Sequence, residues 1–215
     1  MKTLGILRHA KSDWHDARLR DFDRPLNGRG RKGAALIGLH IRDHAVGWKR
    51  ILASPAVRVT QTIEIAGEAA GETPPVTWDR RIYLASSAIL IDVLRDQDGD
   101  PRTIMLCGHN PGLEDLIFDL VPDDGTSPLR DVVEDKFPTG AYAGVELEVE
   151  NWSDRGEGCG RRGQLTRPRD LDPGWGPTLA DGGRPERRPG LDPGPLANLP
   201  ARARRRAQQG GLFTA

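Results

Sequence analysis

The sequence predicts an α/β protein, a three-layer sandwich whose mostly parallel central sheet is flanked by helices on both faces. Short apolar runs bounded by charge alternate along the chain with stretches whose apolar residues recur at helical spacing. Strand followed by helix, repeated, is the order that builds crossover-connected parallel strands. Polar residues able to do chemistry gather where the runs end, and such sheets bind ligands outside the carboxyl ends of their strands.

Taken in order, LGIL (4–7) is a buried strand, and Ala34, Ile37 and Ile41 mark a helix over about 27–44 with Asn27 as its cap. RILAS (50–54) is the second strand, and Val59, Ile63, Ala66 and Ala70 define a helix ending near Gly71. VTW (76–78) is a third strand, followed by a helix carrying Ile89, Leu90, Val93 and Leu94. RTIMLCG (102–108) is the most strand-like run, with Cys107 as core packing. Leu113, Leu116, Ile117 and Leu120 make the next helix, stopped before Pro122. YAGVELEVE (142–150) alternates with period two, and QLTR (164–167) adds an edge strand.

Residues 1–172 read as one domain, large enough to bury a core. Residues 173–215 hold eight Gly and seven Pro and read as a disordered tail. The formal charge of zero hides an asymmetry: the tail has seven Arg against three acids, the body 24 bases against 28 acids. Its RARRR cluster reads as a solvated basic tail, not a nucleic-acid contact. Two distant cysteines, Cys107 and Cys159, fit a reducing compartment, and no apolar run is long enough for a signal core or membrane span. A cytoplasmic protein is expected.

Three polar clusters carry the chemistry. The first strand ends in Arg8-His9, the second runs into SPAVR (54–58), and the fourth ends in GHNPG (108–112). Parallel strands place these ends on one sheet edge. Ser54 and Asn110 are expected as N-caps with Pro55 and Pro111 at the first helical positions, giving two helix starts that favour an anion. Arg8, Arg58, His9 and His109 would converge there, a constellation suited to a phosphoryl group. Gly28, Gly30 and Gly33 spell GxGxxG, but DFDRPLN precedes them where a dinucleotide loop needs a strand. His40 and His44 have zinc-pair spacing without the adjoining glutamate or a third ligand, so a helix surface is expected.

LRHAKSDWH, SPAVRVTQT and CGHNPG, in this order, resemble the histidine phosphatase superfamily, of phosphoglycerate-mutase-like fold. DRPLNGRGR, RRIYLAS, FPTGAY and RPRDL resemble its small bacterial phosphohistidine phosphatase branch, over about residues 2–172. The resemblance implies covalent catalysis: His9 attacks phosphorus, and water hydrolyses the phosphohistidine enzyme. Arg8, Arg58 and His109 would neutralise the phosphoryl oxygens, and Ser12 and the Asn110 backbone N–H would line the pocket. It implies no metal and no cofactor. Ala10 replaces the usual glycine, and Leu84 stands where some relatives carry a glutamate general acid, with Asp13 and Asp79 as possible stand-ins. An imidazole leaving group, of pKa near 6.5, needs less help from an acid than an alkoxide. The missing acid therefore points to phosphohistidine or another activated phosphate, and phosphohistidine in a partner protein is the expected substrate. The alternatives are a phosphomonoesterase for a small phosphate compound and a non-catalytic phosphate-binding adaptor, with a mutase disfavoured because about 170 ordered residues leave no room for closing insertions. Trp14 and His15 are assigned rim or packing roles.

Overall fold

A computed structural model describes residues 1–44, 47–123, 125, 127–154 and 158–175. Four strands follow the expected order: β1 (Lys2–Arg8), β2 (Arg50–Ala53), β3 (Val76–Trp78) and β4 (Thr103–Gly108). Between and after them lie α1 (Gly28–His44), α2 (Val57–Ala70), α3 (Ser87–Arg95) and α4 (Gly112–Leu120). The chain continues through α5 (Pro128–Asp135), β5 (Tyr142–Leu147), β6 (Gly160–Thr166) and α6 (Pro168–Leu171).

The sheet runs β3-β2-β4-β1-β5-β6. The first four strands are mutually parallel, and β5 and β6 are added antiparallel. Alternation along the central strands sorts the core into two layers. Leu4, Ile6, Ile104 and Leu106 pack with Leu90, Leu94, Leu113 and Leu116 of α3 and α4. Leu7, Ile51, Ala53, Met105 and Cys107 pack with Ile37 of α1 and Val59 and Ile63 of α2. Strands buried on both faces are what continuous apolar runs such as IMLC predict. Cys107 is fully buried, as its place in that run implies. The α1–α2 layer depends on Gly38, where a Cβ would lie 2.2 Å from the Ala66 carbonyl oxygen.

Several expectations need correction. The helix after β2 begins at Val57 with Ala56 as its N-cap, not with Ser54. Ser54 is instead drawn into a bond with His109. After β4, Pro111 takes the cap position of α4, behind a cis Asn110–Pro111 peptide, and the Asn110 amide bonds to Glu114 and the Phe137 carbonyl. β5 stops at Leu147, where the ladder to β6 becomes irregular, and β6 is longer than QLTR suggests. Helix α5 was not anticipated; Leu129 and Val133 are its only buried residues, too few to reveal a period. Helix α6 is a single turn. The ends at Gly71, in the left-handed region, and before Pro122 agree with expectation.

Of the tail, Pro173–Trp175 is described, and Trp175 lies under Arg29 and Lys32 of α1. The disorder expected beyond it falls on residues 176–215, outside the described residues. Among the described residues, no helix is long and apolar enough to cross a membrane.

Candidate active site

Strand register brings the polar clusters together. Arg8 is level with Gly108, and Ala53 with Cys107, so β1, β2 and β4 end nearly flush. The next residues remain tied across the gaps: His9 N–H donates to the Gly108 carbonyl at 3.1 Å, and Ser54 N–H to the Cys107 carbonyl at 3.1 Å. His9 and His109 therefore leave neighbouring strands side by side, with ring centroids 5.2 Å apart. Arg58 reaches in from the first turn of α2.

Burial makes these groups unusual. His9, Arg58 and His109 are 8%, 4% and 3% exposed, and a buried charge is tolerated only when paired and hydrogen-bonded. Arg58 donates through Nη1 to the Asp21 carbonyl at 2.5 Å, and through Nη2 to the Asp21 carboxylate at 2.9 Å and His109 Nδ1 at 3.1 Å. Tyr83 O–H donates to the same carboxylate at 2.8 Å, and the Tyr83 ring stands edge-on to His109. Arg8 donates through Nη1 to the Phe137 carbonyl at 2.6 Å, while its buried Nε has no hydrogen-bond partner among the described residues.

Donor chemistry fixes both imidazole tautomers. A carbonyl only accepts, so His9 Nδ1–H donates to the Ala10 carbonyl at 2.7 Å, and Nε2 keeps its lone pair. A guanidinium only donates, so His109 Nδ1 accepts from Arg58 and Nε2–H donates to Ser54 Oγ at 2.9 Å. Burial, reinforced by Arg58 and Arg8, pushes His9 down to about 4. Burial, then Arg58 and His9, push His109 down to about 3. Both rings are neutral at pH 7. Burial alone would raise Asp21, but the Tyr83 hydroxyl and Arg58 outweigh it and hold the carboxyl below its ordinary range.

A supporting layer sets the loop after β1. Thr62 Oγ1 accepts from Ala10 N–H at 3.0 Å and donates to the Arg58 carbonyl at 2.6 Å, coupling the loop to α2. Gly140 N–H donates to the carbonyls of both Arg8 and His9. Gly30 of the GxGxxG stretch is a packing glycine: a Cβ there would lie 2.1 Å from the Lys11 carbonyl oxygen. Asn27 Oδ1 accepts from Gly30 N–H at 2.8 Å, capping α1 as expected.

Of the predicted site residues, Arg8, His9, Arg58 and His109 are brought together. Ser12 is buried, but its hydroxyl accepts from the Trp14 indole at 3.1 Å. The Asn110 side chain is committed to Glu114 and Phe137. Trp14 is 69% exposed beneath the Arg24 guanidinium, a rim position. Leu84 is exposed, with φ of 50°. Asp13 bonds to His15, and Asp79 caps the 3-10 turn Arg80–Ile82 while pairing with Arg81, so neither is a uncommitted acid. Sequence reasoning missed Asp21, Tyr83 and Thr62. Tyr83 and Thr62 lie within RRIYLAS and SPAVRVTQT, where only neighbouring residues were given roles, and Asp21 lies in DFDRPLN, which was read only as the polar stretch before the glycines.

A family model of the histidine phosphatase superfamily (branch 1) matches residues 4–82. An uncharacterized protein of Mycobacterium tuberculosis is 30% identical over 154 residues, covering 71% of this chain and 94% of that protein. Among solved structures, SixA of Agrobacterium tumefaciens, assigned as a phosphohistidine phosphatase, aligns with a TM-score of 0.62 at 28% identity, covering 70% of this chain and 94% of that one. The protein histidine phosphatase SixA complexed with tungstate shares the fold, with a TM-score of 0.64 at 22% identity over 79% of this chain and 99% of that one. By the paired arginines and histidines at the flush ends of its parallel strands and by these similarities, the chain belongs to the histidine phosphatase superfamily.

Proposed function

We propose that the protein is a phosphatase working through a covalent phosphohistidine on His9, and that its substrate is phosphohistidine in a partner protein. The observation that carries the reading is the fixed tautomer of His9. With Nδ1–H held by the Ala10 carbonyl, a neutral imidazole presents the Nε2 lone pair among cationic groups. Nε2 attacks phosphorus as the P–N bond to the substrate imidazole breaks, and that imidazole leaves neutral because its other ring nitrogen carries a proton taken from water. Water then attacks phospho-His9, releasing phosphate and restoring the ring.

Arg8 and Arg58 supply forked donors to the equatorial oxygens. His109 and the Asp21 carboxylate hold Arg58 by accepting from the same Nη2, and the Asp21 carbonyl accepts from Nη1. The substrate assignment is supported by Leu84 standing where an acid would protonate an alkoxide, and by the engagement of Asp13 and Asp79 elsewhere. The relatives named as phosphohistidine phosphatases support it as well. The test is turnover of a phosphohistidine-bearing protein beside an aryl phosphate and a sugar phosphate, with wild type and His9→Ala. Loss of at least about a thousandfold in the variant is expected. Full activity of His9→Ala would refute the nucleophile, and rapid cleavage of sugar phosphates with phosphohistidine left intact would refute the substrate.

A further inference from the structure

Beside the phosphoryl site lies a groove of about 390 Å³, bounded by the start of α1, residues 135–140, α6 and Trp175. Six of its lining residues are cations (Arg8, Lys11, Arg29, Lys136, Arg167, Arg169) and one is an acid, Asp135. This is not the background composition, since residues 1–172 carry more acids than bases, 28 against 24. Arg167 is held by Asp170 at 2.9 Å. Lys11, Lys136 and Arg169 are exposed and Arg29 is half-buried, and among the described residues none of the four has a carboxylate at ion-pairing distance. Arg8 belongs to both the groove and the phosphoryl site, so the two are continuous.

We propose that this groove binds an acidic segment of the partner protein, alongside the residue being dephosphorylated. Its place in substrate recognition rests on the phosphatase reading above. A compact single anion would call for buried, converging donors such as those around Arg58. Surface cations on flexible stems instead contribute weakly one by one and are screened by salt. They suit several negative charges spread along an extended chain. The protein's own continuation past Trp175 is a poor occupant, with seven Arg against three acids. A single-stranded nucleic acid would need an open aromatic face for stacking. The aromatic ring of the groove, Trp175, already lies under Arg29 at 5.0 Å and Lys32 at 5.9 Å.

The test uses the full chain and three measurements: binding of labelled decaglutamate, binding of a ten-residue oligothymidylate, and kcat/KM for phosphohistidine peptides with acidic or neutral flanks. K136E/R169E reverses two exposed charges outside the phosphoryl site, and K136Q/R169Q neutralises them should the first variant misfold. Decaglutamate is expected to bind, to weaken steeply with salt, and to lose about tenfold in affinity in K136E/R169E, less in K136Q/R169Q. The acidic-flanked peptide should lose kcat/KM by the same factor, while the neutral-flanked peptide and an aryl phosphate are unchanged. Equal kcat/KM for acidic and neutral flanks in wild type, or tighter binding of oligothymidylate than of decaglutamate, would overturn the proposal. Decaglutamate bound and then released by charge reversal, in a protein that turns over no phosphoryl substrate, would uphold the groove and sink the phosphatase reading.

Discussion

The molecule holds two pairs of neighbouring histidines, and they differ in everything but proximity. His9 and His109 lie 5.2 Å apart by ring centroid, tilted by 54°, while His40 and His44 stack at 4.7 Å and 18°. The first pair comes from two strand ends distant in sequence, is buried, and has every nitrogen but His9 Nε2 fixed by Ala10, Arg58 or Ser54. The second comes from one helical turn. His44 is exposed and bonds to the His40 carbonyl, and His40 Nε2 meets Thr166 Oγ1 at 3.0 Å. Closeness of two imidazoles is thus not a sign of chemistry. What distinguishes the His9–His109 pair is burial against cations and tautomers set by obligatory donors and acceptors.

Breaking that environment should separate the pairs most sharply. Arg58→Ala removes the group that touches His109 and Asp21, and should cost two to three orders of magnitude, roughly, in kcat/KM for any phosphoryl substrate. His40→Ala should leave kcat/KM within about twofold under the same assay. A large loss there would mean that the helix pair contributes to the site.

Acid should divide the pairs next. Nitrogen-detected NMR titration should find the His9 and His109 rings neutral until pH approaches about 4 and about 3. The sign follows from linkage: between an unfolded pKa near 6.5 and these lowered folded values, the unfolded chain binds the protons. Stability is therefore complete above about pH 6.5 and falls by about 1.4 kcal/mol per pH unit for each ring as pH drops toward its folded pKa. Urea denaturation between pH 7 and 5 measures this. A slope of opposite sign would show that the rings are charged in the fold.

The smallest effect is expected in the supporting layer. Thr62→Val leaves the Ala10 N–H without its acceptor, costing about 1–3 kcal/mol of stability and slowing turnover while the residues of the phosphoryl site remain present. Thr62→Ser, which keeps the hydroxyl, should recover most of both.

The sequence by itself determined the layered α/β architecture, because apolar runs buried on both faces and helical repeats leave few other ways to build a core. It also determined the meeting of Arg8, His9, Arg58 and His109, since parallel strands must end on a common edge. It placed Asn27 as the cap of α1 but not the caps of α2 and α4. Ser54 and Asn110 have ideal local chemistry for capping, yet their side chains found stronger partners in His109, Glu114 and Phe137. A propensity counts only neighbours along the chain, whereas a buried polar group bonds to whatever the fold brings near. For the same reason only the tertiary structure could pair Arg58 with Asp21, 37 residues away, or set the tautomers of two histidines. It also decided where the basic groove lies. Its cations come from the end of β1 and the loop after it, from α1, from the segment after α5 and from α6 and its cap, and they meet only once the sheet has been assembled.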